Sequence, residues 1–287
     1  MTSTFDLKRA VLLAAIGEGV LSLMDALMKL MSARYPIFEI TFLRFLFGGL
    51  VAIGIFVANG PVWPSREAMK FHLLRAVFAV GAATTFFYAL SVLPLAEAMA
   101  LSFVAPIFIA LLAVVILKER FDARIGIALA IGLCGMLVIV GGKLGQDNSS
   151  ADPWRGAIAV LVSAFLYALV MVMLRARANK DPLPTIVLIQ NVAPAFLLLI
   201  PALLVWQPVS WSDLGVFAVI GVLAASGHML LANAFMRAEA ARLAPIHYLV
   251  LVWGTLYGYL IFGDIPGLTT LIGAVLIVFG TLLTRRT

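Results

Sequence analysis

The sequence predicts an all-α integral membrane protein of ten transmembrane helices, built as two inverted five-helix repeats. Three observations carry that prediction. The chain of 287 residues is 63% hydrophobic and only 12% charged, about half the roughly 25% charge of a soluble domain, and its mean hydropathy is +1.11. Apolar runs of about 20 residues, the length that crosses a hydrocarbon layer, recur along the whole chain. The pattern of the first half also returns in the second, at an offset of 145 to 146 residues.

The apolar runs fall near 10–31, 37–58, 71–92, 96–117 and 124–142, then near 154–175, 184–206, 213–235, 242–262 and 266–284. The polar stretch KLGQDNSSADPW joins the two sets. It is rich in turn-forming residues, and it divides the chain into a first repeat (1–142), a linker (143–153) and a second repeat (154–287). Residues 1–9 are short and polar, and no small-residue cleavage site follows the first run. That run therefore reads as a retained helix and not a signal peptide. The single cysteine, Cys134, lies in an apolar stretch and excludes a disulfide framework or a Cys-based zinc site.

Threading the ten runs back and forth sorts the basic residues. Lys8, Arg9, Arg66, Lys70, Arg75, Lys118, Arg120, Arg124, Arg175, Arg177, Lys180, Arg237, Arg242, Arg285 and Arg286 fall on one side. Lys29, Arg34, Lys143 and Arg155 fall on the other, and Arg44 sits inside a span. Positive charge marks the cytoplasmic face, so both termini are expected in the cytoplasm and the chain in the cytoplasmic (inner) membrane. The net charge of +6 then reports topology, and no nucleic-acid partner is expected. Membrane lipid is, and a monomer is the expected working unit.

At an offset of 146, Asp6, Arg9, Leu23, Lys29, Pro36 and Ile40 meet Asp152, Arg155, Leu169, Arg175, Pro182 and Ile186. At 145, Leu111, Ile116, Glu119, Ile127, Gly135 and Leu137 meet Leu256, Ile261, Asp264, Ile272, Gly280 and Leu282. Because each unit has an odd number of helices, the second must be inverted. Inverted repeats make two access states by exchanging the conformations of their halves around a midplane site.

Three segments resemble the drug/metabolite transporter superfamily, specifically its EamA-type ten-helix branch. They are FEITFLRFLFGG (Phe38–Gly49), PLAEAMALSFVAPIFIALLAVVILKER (Pro94–Arg120) and LAPIHYLVLVWGTLYGYLIFGD (Leu243–Asp264). The second half departs from the first in having Leu251 opposite Pro106, and Asp264 where the family usually has glutamate. The resemblance implies a small-molecule substrate, with members exporting amino acids, including aromatic ones, or importing metabolites such as S-adenosylmethionine or riboflavin. MDALMKLMSARYPIFEITFLRF (Met24–Phe45) looks most like the importers, whereas size and layout suit the amino-acid exporters. No HExxH, GxSxG or Walker signature occurs, which argues against a membrane-embedded enzyme and against ATP-driven transport. No cofactor is expected.

Ionisable residues inside a span cost several kcal/mol, roughly 2.5 to 3.5 at the centre, and so mark candidate sites. At about 1.5 Å per residue, Glu18 falls at mid-depth and Asp25 in the outer third, with Lys29 close to the outer surface. Glu39, Arg44 and Glu97 come to similar outer depths. Asp25, Lys29, Glu39, Arg44 and Glu97 can thus form an outer ion-pair network, read either as a structural tie or as a gate. Their second-half counterparts have lost most of the charge, so an outer ionic gate opposed by an uncharged inner one is expected.

Glu18 has no basic residue within a turn on its own helix. Two readings stay open for it: a protonatable coupling site, or a neutral acid bonded to a neighbouring helix. His228 and His247 are placed in the inner half, with Ser102 the repeat counterpart of His247. Lacking convergent Cys, Asp or Glu, the two histidines do not suggest a metal. Gln190 and Asn191 offer uncharged polar groups at similar depth. Tyr88, Tyr167 and Trp253 are the aromatic residues best placed to line a cavity. Trp63, Trp154, Trp206 and Trp211 read as interfacial anchors.

Overall fold

The computed structural model describes residues 4–92, 101–121, 123–141, 153–263 and 267–283, and these form helices and short connections. In chain order they are α1 (Thr4–Ser32), α2 (Ile37–Ala58), α3 (Arg66–Val92), α4 (Ala105–Leu117), α5 (Ala123–Gly141), α6 (Pro153–Ala178), α7 (Leu183–Leu204) and α8 (Trp211–Arg237). There follow α9 (Ala240–Leu243), a 3₁₀ turn (Ala244–Tyr248), α10 (Leu249–Phe262) and α11 (Leu268–Leu283). Six helical segments are long and apolar enough to cross a membrane, among them Ala240–Ile261, which joins α9, the 3₁₀ turn and α10. Arg66–Val92 and three shorter apolar helices account for the remaining predicted spans. Predicted residues 143–152 of the linker lie outside the described residues.

Two helix starts differ from the sequence reading, each for a local reason, and two spans are broken. α1 starts at Thr4, six residues early, with Asp6 in its first turn, where a negative charge suits the helix dipole. α3 starts at Arg66 instead of residue 71, because Ser65 Oγ accepts the Ala68 amide at 3.2 Å and so caps the polar first turns. The ninth span, predicted as one helix over 242–262, is broken. Pro245 near the start of the 3₁₀ turn cannot donate to an α-helical bond, and the chain takes the tighter turn there. The fourth span has its own break, a turn at residues 103–104 ahead of α4.

Helix packing shows an exchange of halves. α1 packs on α8 as α6 packs on α3, α1 on α10 as α6 on α4, and α2 on α8 as α7 on α3. The pairs α2 with α7 and α5 with α11 are their own counterparts. Residue contacts repeat the pattern. A Cβ on Gly135 of α5 would meet the Gly273 carbonyl of α11 at 2.7 Å, and one on Gly280 of α11 would meet the Ala128 carbonyl of α5 at 3.2 Å. Those two contacts interconvert at the 145-residue offset. Only glycine allows so close a backbone approach, the usual way helices associate in lipid. Phe103 and Tyr248, which also correspond at 145, stack with centroids 6.0 Å apart and planes at 22°.

The halves therefore share their core. The largest buried cluster draws Ala14, Ile109 and Leu129 from the first half and Met171, Phe235 and Tyr248 from the second. Trp63, Trp154, Trp206 and Trp211 are exposed at or beside helix ends.

Candidate functional site

A cavity of about 20 Å³ lies where α1, α4, α6, α8 and the 3₁₀ turn converge, lined in part by Glu18, Ile109, Tyr167, Met171, Phe235 and His247. That volume holds about one water. Both halves wall it.

Glu18 finds its partner across the molecule. His247 Nδ1 lies 3.1 Å from Glu18 Oε1, 229 positions away in the sequence. The break at Pro245 is what brings the imidazole round. His247 also sits against the Tyr167 ring, centroids 5.0 Å apart, and 6.3 Å from Phe103. Trp253 Nε1 donates to the Ala15 carbonyl at 3.0 Å, and its indole lies where a Cβ on Gly19 would come within 2.8 Å. Gly19 thus makes the hollow that lets α10 clamp α1 on either side of Glu18.

Around this pair the structure gathers opposite charges. Asp25, exposed although it is deep along α1, lies in electrostatic reach of Arg44, Glu18 and His247. Arg44 interacts in turn with Asp25 and Tyr167. Its Nε donates to Met24 Sδ at 3.2 Å, and its guanidinium stands 4.8 Å from the Phe45 ring.

Glu39 lies apart from this group. Glu39 is fully buried, and its Oε2 accepts the Gln207 amide at 3.0 Å in the α7–α8 connection, so it ties the far end of the bundle instead of joining Arg44. Lys29 is exposed in the last turn of α1, and Glu97 lies outside the described residues. Among the described residues, an ion pair at that end joins Arg34 to Asp213. Arg34 Nη1 donates to Asp213 Oδ1 and the Tyr35 hydroxyl to Asp213 Oδ2, both at 2.8 Å.

Asn191 is fully buried. Its Nδ2 donates to the Val187 carbonyl of its own helix at 2.8 Å, while its Oδ1 lies where a Cβ on Gly48 would meet it at 2.6 Å. It packs α7 on α2 and does not line the cavity. Gln190 and His228 are buried, with Oε1 and Nδ1 respectively lacking a hydrogen-bond partner among the described residues. Tyr88 is exposed toward the end of α3, and Ser102 is half-buried beside Phe103.

The uncharged inner end expected from the sequence is corrected by the structure. At the end of the bundle that carries the N-terminus, Arg175 Nε donates to Glu119 Oε1 at 3.0 Å and Arg175 Nη1 to the Phe235 carbonyl. Glu119 Oε2 accepts the Ala241 amide at 3.1 Å. Glu119 and Arg175 together thus tie the chain just after α4 to α6, α8 and α9, and Phe235 lines the cavity. Charge was expected to be lost there because Asp25, Glu39 and Arg44 have no ionic counterparts. The clasp instead uses the pair Glu119 and Arg175, which close their helices.

A second cluster lies at the same end. Asp181 takes two bonds from Arg177, each 2.6 Å, and lies 2.9 Å from His72 Nε2. Burial pushes the Asp181 carboxyl up, but the hydrogen bonds from Arg177 and His72 outweigh it and hold the carboxyl below its usual range. Arg75, counted above with the loop-proximal charges, is only 2% exposed within α3. Its Nη2 reaches the Ile186 carbonyl at 3.4 Å, and its Nη1 has no hydrogen-bond partner among the described residues. An arginine and a histidine in the first turn and a half of the 71–92 run were the signal for this cluster.

Comparison with known proteins agrees with this architecture. The profile of the EamA-like transporter family matches residues 8–141 and again 154–286. The pseudopaline exporter of Pseudomonas aeruginosa (strain UCBPP-PA14) is 30% identical over 98% of this chain and 97% of its own. The S-adenosylmethionine uptake transporter of Rickettsia prowazekii (strain Madrid E) is 26% identical over 91% of this chain and 87% of its own. One crystal structure superposes with a TM-score of 0.82 at 22% identity, covering 96% of this chain and 98% of that one, a likeness of fold.

Proposed function

The chain belongs to the EamA-like transporter family, and from that premise we propose that it exports a small amino-acid-type metabolite across the cytoplasmic membrane by alternating access. The observation that carries the reading is the cavity shared by both halves, with Glu18, Tyr167 and His247 on its wall. A midspan site at a repeat interface is where an inverted-repeat transporter binds its solute. A carboxylate, an imidazole and aromatic faces suit a solute that is small, partly apolar and charged.

With both termini in the cytoplasm, the clasp of Glu119 and Arg175 lies on the cytoplasmic side of the cavity. A depression of about 350 Å³ among Asp6, Asn179, Met236 and Arg237 opens at that same end. Separating the clasp would join the two spaces, while the cavity would widen by movement of α1, α6 and the 3₁₀ turn.

Uptake is the second reading. The likeness to an S-adenosylmethionine uptake transporter over 91% of this chain favours it, and inverted repeats work in either direction. Proteoliposomes offered a radiolabelled panel of amino acids and S-adenosylmethionine, with and without a pH gradient, test both. Amino-acid flux down or against an imposed gradient is expected. Accumulation of S-adenosylmethionine alone would favour uptake, and absence of flux for every solute would overturn both readings.

A further inference from the structure

Resting on the transport reading of the central cavity, we propose that Arg44 is the receptor for a carboxylate on the solute, so that the site takes a zwitterionic amino-carboxylate. A guanidinium carries five N–H donors in a planar fork and accepts nothing. Arg44 uses its Nε on a methionine sulfur at 3.2 Å, a weak acceptor, and rests its plane near the Phe45 ring. Among the described residues no carbonyl or carboxylate takes its two Nη groups, and these are not sealed, for Arg44 is only half-buried. An arginine inside a span is costly unless something answers its charge. A bidentate carboxylate is the ligand whose geometry that fork matches.

The position of the nearest acid supports the same conclusion. Asp25 and Arg44 attract one another but do not meet as an ion pair, and Asp25 is exposed. An opposite pair held apart, within electrostatic reach of the cavity-lining Glu18 and Tyr167, leaves room for a head group that bears both charges. The solute's ammonium then faces Asp25 and Glu18, and its carboxylate faces Arg44. Tyr167, which lines the cavity and interacts with Glu18, Asp25 and Arg44, connects the two poles. Other buried cations do not serve as well. Arg175 is spent on Glu119 and the Phe235 carbonyl, and Arg75 is sealed at 2% exposure.

Counterflow in proteoliposomes with matched probes tests the assignment: L-tyrosine and tyramine, L-histidine and histamine, S-adenosylmethionine and its decarboxylated form. In the wild-type protein at least one acid is expected to move about ten- to hundredfold faster than its amine, the range that a lost charge-assisted bond predicts. Arg44→Gln should remove that preference, bringing the acid-to-amine flux ratio down to about one. Arg44→Lys should retain part of it, because it keeps the charge without the fork. Amines moving as fast as acids in the wild type would overturn the proposal and leave transport standing, whether or not any variant folds. So would an Arg44→Gln protein that slows both members of a pair equally, the mark of a structural role. No flux of any probe would remove the transport reading together with this one.

Discussion

At the residue scale, Glu18 joins most of the site together. It lies on the cavity wall, meets His247, and is in electrostatic contact with Asp25. An acid and an imidazole in contact can hold one proton between them. Glu18→Gln keeps the size and one hydrogen bond but cannot exchange that proton. The expected outcome is complete loss of the response to an imposed pH gradient, with counterflow slowed but retained, read by radiolabel flux at two external pH values. A variant that still follows the gradient would remove Glu18 from coupling. Depth along the helix was legible for this residue, since Glu18 counts out to midspan from Arg9. Its partner was not, because nothing local connects positions 229 residues apart.

At the scale of elements, two devices matter: the break in the ninth span and the clasp beside it. Pro245 opens the 3₁₀ turn that brings His247 to Glu18, and Glu119 holds the Ala241 amide in α9 just before that turn. Replacing Glu119 with Gln keeps an acceptor for the amide but removes the charge that Arg175 answers, leaving a guanidinium 19% exposed without its acid. Breaking one side of such a pair costs roughly 3–5 kcal/mol when it is fully buried, and this one should cost less. The clasp should therefore spend more time open. A cysteine placed at Leu231 on the cavity wall, in a Cys134→Ser background, should react several-fold faster with an impermeant maleimide in inverted membrane vesicles carrying Glu119→Gln. Unchanged labelling would mean that the clasp does not close the cavity from that side. The segment LAPIHY announces the proline in the sequence, yet the same run reads as continuous helix by hydropathy, so the break itself came from the structure.

At the scale of the whole molecule, the exchange of halves makes a quantitative demand. Gly135 and Gly280 occupy corresponding places in the packing of α5 on α11, each facing a backbone carbonyl of the other helix. Overpacking a tight core costs about 1–3 kcal/mol or more. Gly135→Leu and Gly280→Leu should each lower the thermal unfolding midpoint in detergent by several degrees, with Gly135→Leu the larger because its contact is closer. A control at Gly254, around which a Cβ would find open space, should leave the midpoint unchanged. If Gly254→Leu destabilised as much, close approach of α5 and α11 would not be what holds the halves together.

The ten apolar runs, their order and the 145-residue repeat followed from the sequence alone, because each rests on a one-dimensional quantity: length, hydropathy or spacing. Arg44 and Glu18 stood out for the same reason, as charges inside apolar runs. Which face of each helix meets which neighbour was decided only by the tertiary structure. In a bilayer the lipid-facing side of a helix is as apolar as its packed side, so no amphipathic stripe marks the contact surface as it would in water. The pairing of Glu18 with His247, the turn of Asn191 toward Gly48 and the clasp of Glu119 on Arg175 are set by helix rotation and by a broken ninth span. Hydropathy carries no record of either.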